Sequence, residues 1–299
     1  MVAGLRFSLL IGLLLLAGCS GEKRRTIGVV PKATSHLFWV TVEEGVRKAG
    51  KDFNVEIVWN GAATETDYAR QVQIFDSMIS RHVDGIAVAA TERKILNSSI
   101  DRAMAAGIPV VVFDSGVDTE NIVSFIATNN YEGGAMAAEA LAKAIGGSGK
   151  VGLIMHTPGS TSTMDREKGF EDTLVKNFPQ IKIAARQYSM SDRAKGRAAA
   201  ENMLTANPDL KGIFASAEPG SVGASLAIQA RNLSGKVKLV TFDSSETLIA
   251  DCKNGVVSAM VVQAPQQLGY EAVKTVIDKL DGKTPPKQTS LPPTVNACP

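Results

Sequence analysis

The sequence is poor in metal-ligating side chains: three histidines and three cysteines in 299 residues. His36, His82 and His156 show no metal-ligand spacing, and no cysteine pair stands at the distance a zinc site needs. No metal and no cofactor is therefore expected. Gly146-Gly147-Ser148-Gly149-Lys150 lacks the first glycine of a phosphate loop, continues with Val151 and precedes a strand pattern, so it reads as a helix C-cap and turn. There is no G-x-S-x-G nucleophile elbow. A formal net charge of +2 offers no footprint for nucleic acid. Aromatics make up only 5% of the chain, so the adjacent pair Phe38-Trp39 stands out.

What is present begins at the N-terminus. Arg6 precedes the apolar run Leu9-Leu10-Ile11-Gly12-Leu13-Leu14-Leu15-Leu16, which is too short for a comfortable transmembrane helix. A positive start, a short apolar run and small residues mark an export signal. Leu16-Ala17-Gly18-Cys19 resembles a bacterial lipobox, in which the cysteine is lipidated and becomes the first residue of the mature protein. Residues 1–18 are thus expected to be a lipoprotein signal peptide and residues 19–25 a polar tether, with the protein exported and lipid-anchored to a bacterial membrane. Cys252 and Cys298 remain, and in an oxidising compartment two leftover thiols invite a structural disulfide. No spacing proves that they meet.

Two stretches nearly repeat one another: Val111-Val112-Phe113-Asp114-Ser115 and Val240-Thr241-Phe242-Asp243-Ser244. Each is an apolar run of the kind that forms a buried parallel strand, with Asp-Ser at its exit. Around them, strand patterns alternate with helical ones from residue 26 to 126, and the pattern restarts from about residue 131. Strict alternation twice over indicates two doubly wound α/β domains with mainly parallel sheets. Open sheets of this kind bind ligands at the carboxyl ends of their strands. Crossings are expected at 127–130, 262–265 and 291–293, which assigns 26–128 plus 264–291 to one lobe and 129–263 plus 292–299 to the other. Several crossings make a hinge, and a hinge makes a cleft that closes.

The lipobox, the paired lobes and the strand-end carboxylates resemble the ribose-type periplasmic sugar-binding proteins of ABC transporters, whose ligand domains are shared with lactose-repressor-like regulators. The landmarks are Phe38-Trp39, the 108–114 strand, Arg166-Glu167-Lys168-Gly169-Phe170, Val240-Thr241-Phe242-Asp243 and Gln263-Ala264-Pro265-Gln266-Gln267-Leu268-Gly269, and they span almost the whole chain from residue 26 on. The resemblance implies the periplasmic binding protein-like I fold. It also implies that Asp114 and Asp243 accept hydrogen bonds from sugar hydroxyls, charge-assisted contacts stronger than neutral ones. Arg166 then offers a planar fork beside them, and Gln263 supplies a donor and an acceptor. One ring of Phe38 and Trp39 stacks on a sugar face. The other packs inward, because adjacent helical positions point about 100° apart.

The sequence departs from the ribose pattern. His36 stands where an asparagine is expected, Ser115 replaces an arginine, Ala217 replaces a second-lobe asparagine, and Ser191 or Met190 replaces an aromatic. The polar contacts are rearranged and one ring wall is missing, which points away from D-ribose itself. Pro31-Lys32 with Asp114-Ser115 also resembles the autoinducer-2 receptor of the same superfamily, although that receptor's acidic–amide pair is replaced by Ser162-Thr163. Lys32 is a candidate contact for an acidic or phosphorylated ligand, but a solvated surface lysine is the favoured reading.

The expected ligand-binding set is therefore Lys32, His36, Phe38, Trp39, Asp114, Ser115, Arg166, Asp243 and Gln263. The expected protein is a non-enzymatic, monomeric receptor that delivers a small polyhydroxylated ligand to an ABC permease, touching the membrane only through its lipid. A sensor feeding a chemoreceptor or histidine kinase would use the same closed form. An enzyme would need a poised nucleophile or an acid–base pair, and none is evident.

Overall fold

The computed structural model describes residues 24–298; the expected signal peptide and the expected lipidation site Cys19 lie outside them. In chain order the elements are β1 Thr26–Val30, α1 Leu37–Asp52, β2 Glu56–Trp59, α2 Tyr68–Ser80, β3 Gly85–Val88, α3 Asn97–Ala105, β4 Val110–Phe113, β5 Ser124–Thr128 and α4 Asn130–Ala144. They continue with β6 Gly149–Met155, α5 Thr161–Asn177, β7 Ile181–Tyr188, α6 Arg193–Ala206, β8 Leu210–Ala215, α7 Glu218–Ala230, β9 Lys238–Phe242 and α8 Glu246–Lys253. The last are β10 Ala259–Val262, α9 Pro265–Leu280, β11 Gln288–Leu291 and β12 Thr294–Ala297.

The strands form two six-stranded sheets, ordered β11-β5-β4-β3-β1-β2 and β12-β10-β9-β8-β6-β7. All pairings are parallel except β10 with β12. β3 and β4 are buried at every residue, as strands covered on both faces must be. β7 alternates exposed and partly buried positions after its buried first residue because it is an edge. Each sheet carries helices on both faces and has two apolar clusters, one per face. In the first sheet the strand order reverses between β1 and β3, and in the second between β6 and β8. A crevice outside the carboxyl ends opens at such points.

The C-terminal tail contributes two strands, β11 to the first sheet and β12 to the second. α1 starts at Leu37 with no side-chain cap, and the nearby Ser35 hydroxyl donates to the Ala63 carbonyl. α2 starts at Tyr68, capped by Asp67, which accepts from the Arg70 amide. α7 and α9 each begin with a proline in the first turn. Proline lacks only an amide that no intrahelical partner would meet there. Cys252 and Cys298 are bridged, which ties α8 to the end of β12. No helix among the described residues is long and apolar enough to cross a membrane.

Candidate functional site

The carboxyl ends of the central strands of both sheets face one another. Lys32 follows β1, Asp114 follows β4, His156 follows β6, Ala217 and Glu218 follow β8, and Asp243 follows β9. Together with His36, Phe38, Trp39, Glu65, Ser162, Thr163, Arg166, Pro219 and Gln263 they line a single cleft between the lobes. Of the residues expected from sequence, Lys32, His36, Phe38, Trp39, Asp114, Arg166, Asp243 and Gln263 are brought together. Ser115 is not among the lining residues. It is fully buried beside the cleft, its hydroxyl 3.1 Å from Thr161 Oγ1 and accepting from the Ser162 amide at 3.2 Å.

Lys32 is not a solvated surface lysine. It is only 3% exposed. Its Nζ meets three protein oxygens: Asp114 Oδ2 at 2.8 Å, and Ser160 Oγ and Ser162 Oγ each at 3.1 Å. The two serine contacts are hydrogen bonds, and the Asp114 contact is a buried ion pair. Sequence reading misplaced it because the serines arrive from residues more than a hundred positions away.

Asp243 is held by Gln263, whose Nε2 donates to Oδ1 at 2.6 Å, while the Glu218 amide reaches Oδ2 at 3.4 Å. Gln263 in turn accepts from Thr128 Oγ1 at 2.7 Å, which ties the crossing after β10 to the end of β5. Burial pushes the Asp243 carboxyl up, and the nearby Arg166 charge and the Gln263 bond only partly offset this. Arg166 is buried, with its guanidinium carbon 3.8 Å from the centre of the Phe242 ring. It donates to Asn130 Oδ1 at 2.8 Å and to the Ser216 carbonyl at 3.0 Å, so a surface role is excluded.

Trp39 is the inward ring, in the core of the first lobe, and Phe38 is the partly buried one. Trp39 also donates from Nε1 to Glu65 Oε1 at 2.9 Å. Glu65 gave no signal in the sequence, since it sits in a loop with no motif. It is nonetheless the most connected carboxylate of the cleft, with His36 Nδ1 at 3.4 Å and His156 Nε2, from the other lobe, at 2.8 Å. Burial alone would raise its carboxyl, but the charge and bond of His156, the bond from His36 and the charge of Lys32 hold it well below the usual range. His36 is shifted the other way. Burial disfavours its charge, yet Glu65, with a smaller effect from Glu218, raises it above the ordinary imidazole value. Glu218 accepts from Arg193 Nη2 at 2.5 Å.

Further bonds join the lobes at the cleft rim: the Gly116 amide donates to Thr161 Oγ1 at 2.6 Å, and the Arg93 amide to the Gly159 carbonyl at 3.1 Å. With Lys32, Ser115 and the Glu65–His156 pair, they hold the two lobes closed on one another. Among the described residues no group of histidines, cysteines and carboxylates is arranged to hold a metal ion.

The sequence and fold have known counterparts. The chain is 31% identical over 272 residues to the D-ribose/D-allose-binding protein of Pseudomonas aeruginosa, an alignment covering 88% of this chain and 84% of that one. It is 29% identical over 275 residues to the ribose import binding protein of Bacillus subtilis, covering 91% and 88%. A crystal structure of a carbohydrate transporter solute binding protein from Agrobacterium radiobacter in complex with D-arabinose superimposes with a TM-score of 0.89 at 33% identity, covering 92% of this chain and 95% of that one. Residues 27–284 match the family model described as the periplasmic binding protein domain, and the chain belongs to that family.

Proposed function

We propose that this chain is the substrate-binding component of an ABC importer and that it closes its two lobes over a monosaccharide or a related small polyhydroxylated ligand. The observation that carries this reading is the pair of strand-end carboxylates, Asp114 and Asp243, brought from opposite lobes to one cleft beside the buried Arg166. Sugar hydroxyls donate to carboxylates, and each such bond contributes roughly 1.5–3 kcal/mol. Phe38 adds an apolar face for the ring. The relatives that bind ribose, allose and arabinose support the same ligand class.

The described carboxylates of the cleft pair with lysine, arginine, glutamine and histidine, and the relatives are binding proteins, which supports reading the chain as a receptor. Cys19 carries a lipid in this proposal, residues 19–25 tether the two lobes to the membrane, and the monomer in its closed form docks on the permease. The lobes divide at 128/129, 263/264 and 291/292.

A thermal-shift panel of pentoses, hexoses and polyols tests this function. A binding sugar raises the midpoint with its concentration, by about 2.7 kcal/mol of added stability at a hundred times its dissociation constant. A panel without any shift defeats the sugar reading.

A further inference from the structure

Two residues of the cleft outside the set expected from sequence carry unmet hydrogen-bonding capacity. Both are buried to all but 3% of their surface: His156, at the exit of β6, and Glu218, which opens α7. His156 Nδ1 and Glu218 Oε2 are buried atoms without a hydrogen-bond partner. Both residues line the cleft.

The remaining atoms of each side chain fix what the free atom offers. His156 Nε2 lies 2.8 Å from the Glu65 carboxylate, which only accepts when ionised, so Nε2 carries the proton. Nδ1 is then a lone pair in the neutral ring and a second N–H in the charged one, and a sugar hydroxyl, both donor and acceptor, meets either. Glu218 Oε1 accepts from Arg193 at 2.5 Å, which pairs the carboxylate with a cation and leaves Oε2 as a second acceptor. A buried acceptor without a donor is unfavourable. A ligand that brings donors relieves it, and hydroxyl groups are donors whereas phosphate and carboxylate oxygens are not. Among the described residues the one lysine of the lining, Lys32, already donates to Ser160 and Ser162 and has its charge paired with Asp114, so it offers an anion no free charge.

We infer that Glu218, with His156 beside it in the cleft, forms an additional hydroxyl-binding subsite in which Glu218 Oε2 is the acceptor, and that this subsite selects neutral, hydroxyl-donating sugars and rejects phosphorylated ones. This rests on the sugar-receptor reading and narrows it.

The test is calorimetric titration of the protein with D-ribose, D-allose, D-arabinose and D-ribose 5-phosphate, in wild type and in Glu218→Gln. The glutamine carbonyl can keep the Arg193 bond, which turns an amide donor toward the cleft where an acceptor stood. A neutral sugar that binds wild type is expected to bind Glu218→Gln at least tenfold more weakly, with the unliganded melting midpoint unchanged and D-ribose 5-phosphate bound by neither. Glu218→Asp, which keeps the charge but withdraws the oxygen by one methylene, is expected to weaken the same sugar. Equal affinity of wild type and both variants overturns the subsite while leaving the receptor reading intact. Tighter binding of D-ribose 5-phosphate than of D-ribose overturns the selectivity. Wild type that binds none of the three neutral sugars overturns the subsite together with the reading beneath it.

Discussion

Asp114 and Asp243 leave their strands through the same backbone turn, with φ at 60° in one and 67° in the other. This left-handed region is disfavoured for most residues but open to aspartate and asparagine. The repeated sequence is therefore a repeated local structure: a buried parallel strand that ends by turning a carboxylate sideways into the cleft. Alanine at either place adds roughly 1–2 kcal/mol of backbone strain to the loss of charge. Asparagine keeps the turn and isolates the charge. Asp114→Asn and Asp243→Asn are each expected to weaken sugar binding tenfold or more, since a tenfold loss is about 1.4 kcal/mol and a charge-assisted bond exceeds it.

The two substitutions are expected to differ without ligand. Asp114→Asn leaves the buried Lys32 without its ion partner and should lower the melting midpoint. Asp243 has a carboxyl raised by burial, so its folded state already disfavours the charge, and that cost grows as pH rises above the ordinary carboxylate value. Asp243→Asn should leave the unliganded midpoint at neutral pH unchanged or higher. Melting curves of the two variants, recorded without sugar, decide this; equal loss in both would refute the distinction.

The Glu65–His156 bond across the cleft makes a prediction with a defined sign. Glu65 is held well below its ordinary value of 4.5. A depressed carboxyl contributes stability that is present above that ordinary value and is lost as pH falls through it toward the folded one. His36 is raised above its ordinary 6.5. Its contribution is present below 6.5 and is lost as pH rises through the higher folded value. Asp243 and Glu167 are also raised and titrate in wild type and variant alike. The clean observable is thus the difference in melting midpoint between wild type and Glu65→Gln. It is expected to be largest between about pH 5 and 6.5 and to shrink on both sides. A difference that does not change with pH would mean that Glu65 acts by packing alone.

How much of this was legible follows from where each signal lives. Asp114 and Asp243 could be found because a continuous apolar run announces a buried parallel strand, and the next residue must then lie at its carboxyl end. Arg166 and Gln263 could be placed by resemblance. Glu65 and His156 could not. Their pairing spans 91 positions and depends on how two lobes meet, which no local period encodes. Lys32 was misread for the same reason, since a lysine is normally solvated unless distant partners are brought to it. Ser115 stood out as a substitution in a motif, but its hydroxyl joins the lobes beside the cleft instead of lining it.

The Cys252–Cys298 bridge closes a 46-residue separation that includes all of α9 and both tail strands. In the chain-entropy account a loop of that length is worth about 4 kcal/mol, through the freedom it removes from the unfolded chain. Cys252→Ser with Cys298→Ser should lower the melting midpoint by several degrees, with little change in sugar affinity because neither residue lines the cleft. Reducing agent should have the same effect on wild type and none on the double variant.

The last prediction connects helix packing to Arg166. α4 and α5 approach so closely that a Cβ added at Gly134 would lie 1.9 Å from the Arg166 carbonyl oxygen, and one at Gly169 would lie 2.0 Å from that of Tyr131. The first lobe uses the same device, with Gly45 against the Gln266 carbonyl at 1.9 Å and Gly269 against that of Val42 at 2.2 Å. These obstacles are backbone, which cannot rotate away, so alanine must push whole helices apart. Overpacking of this kind costs roughly 1–3 kcal/mol and at times more. Gly134→Ala and Gly269→Ala should therefore destabilise similarly, but their effects on binding should separate. Gly134→Ala displaces the turn of α5 that carries Arg166 and should weaken sugar binding severalfold, whereas Gly269→Ala strains the first lobe away from Arg166. Gly282→Ala is the control: its φ of 79° favours glycine, but nothing lies within 4 Å of the added carbon, so it should cost about 1 kcal/mol of backbone strain and leave affinity unchanged. Affinity measured at a temperature where all three variants are folded separates the displacement of Arg166 from a general loss of stability.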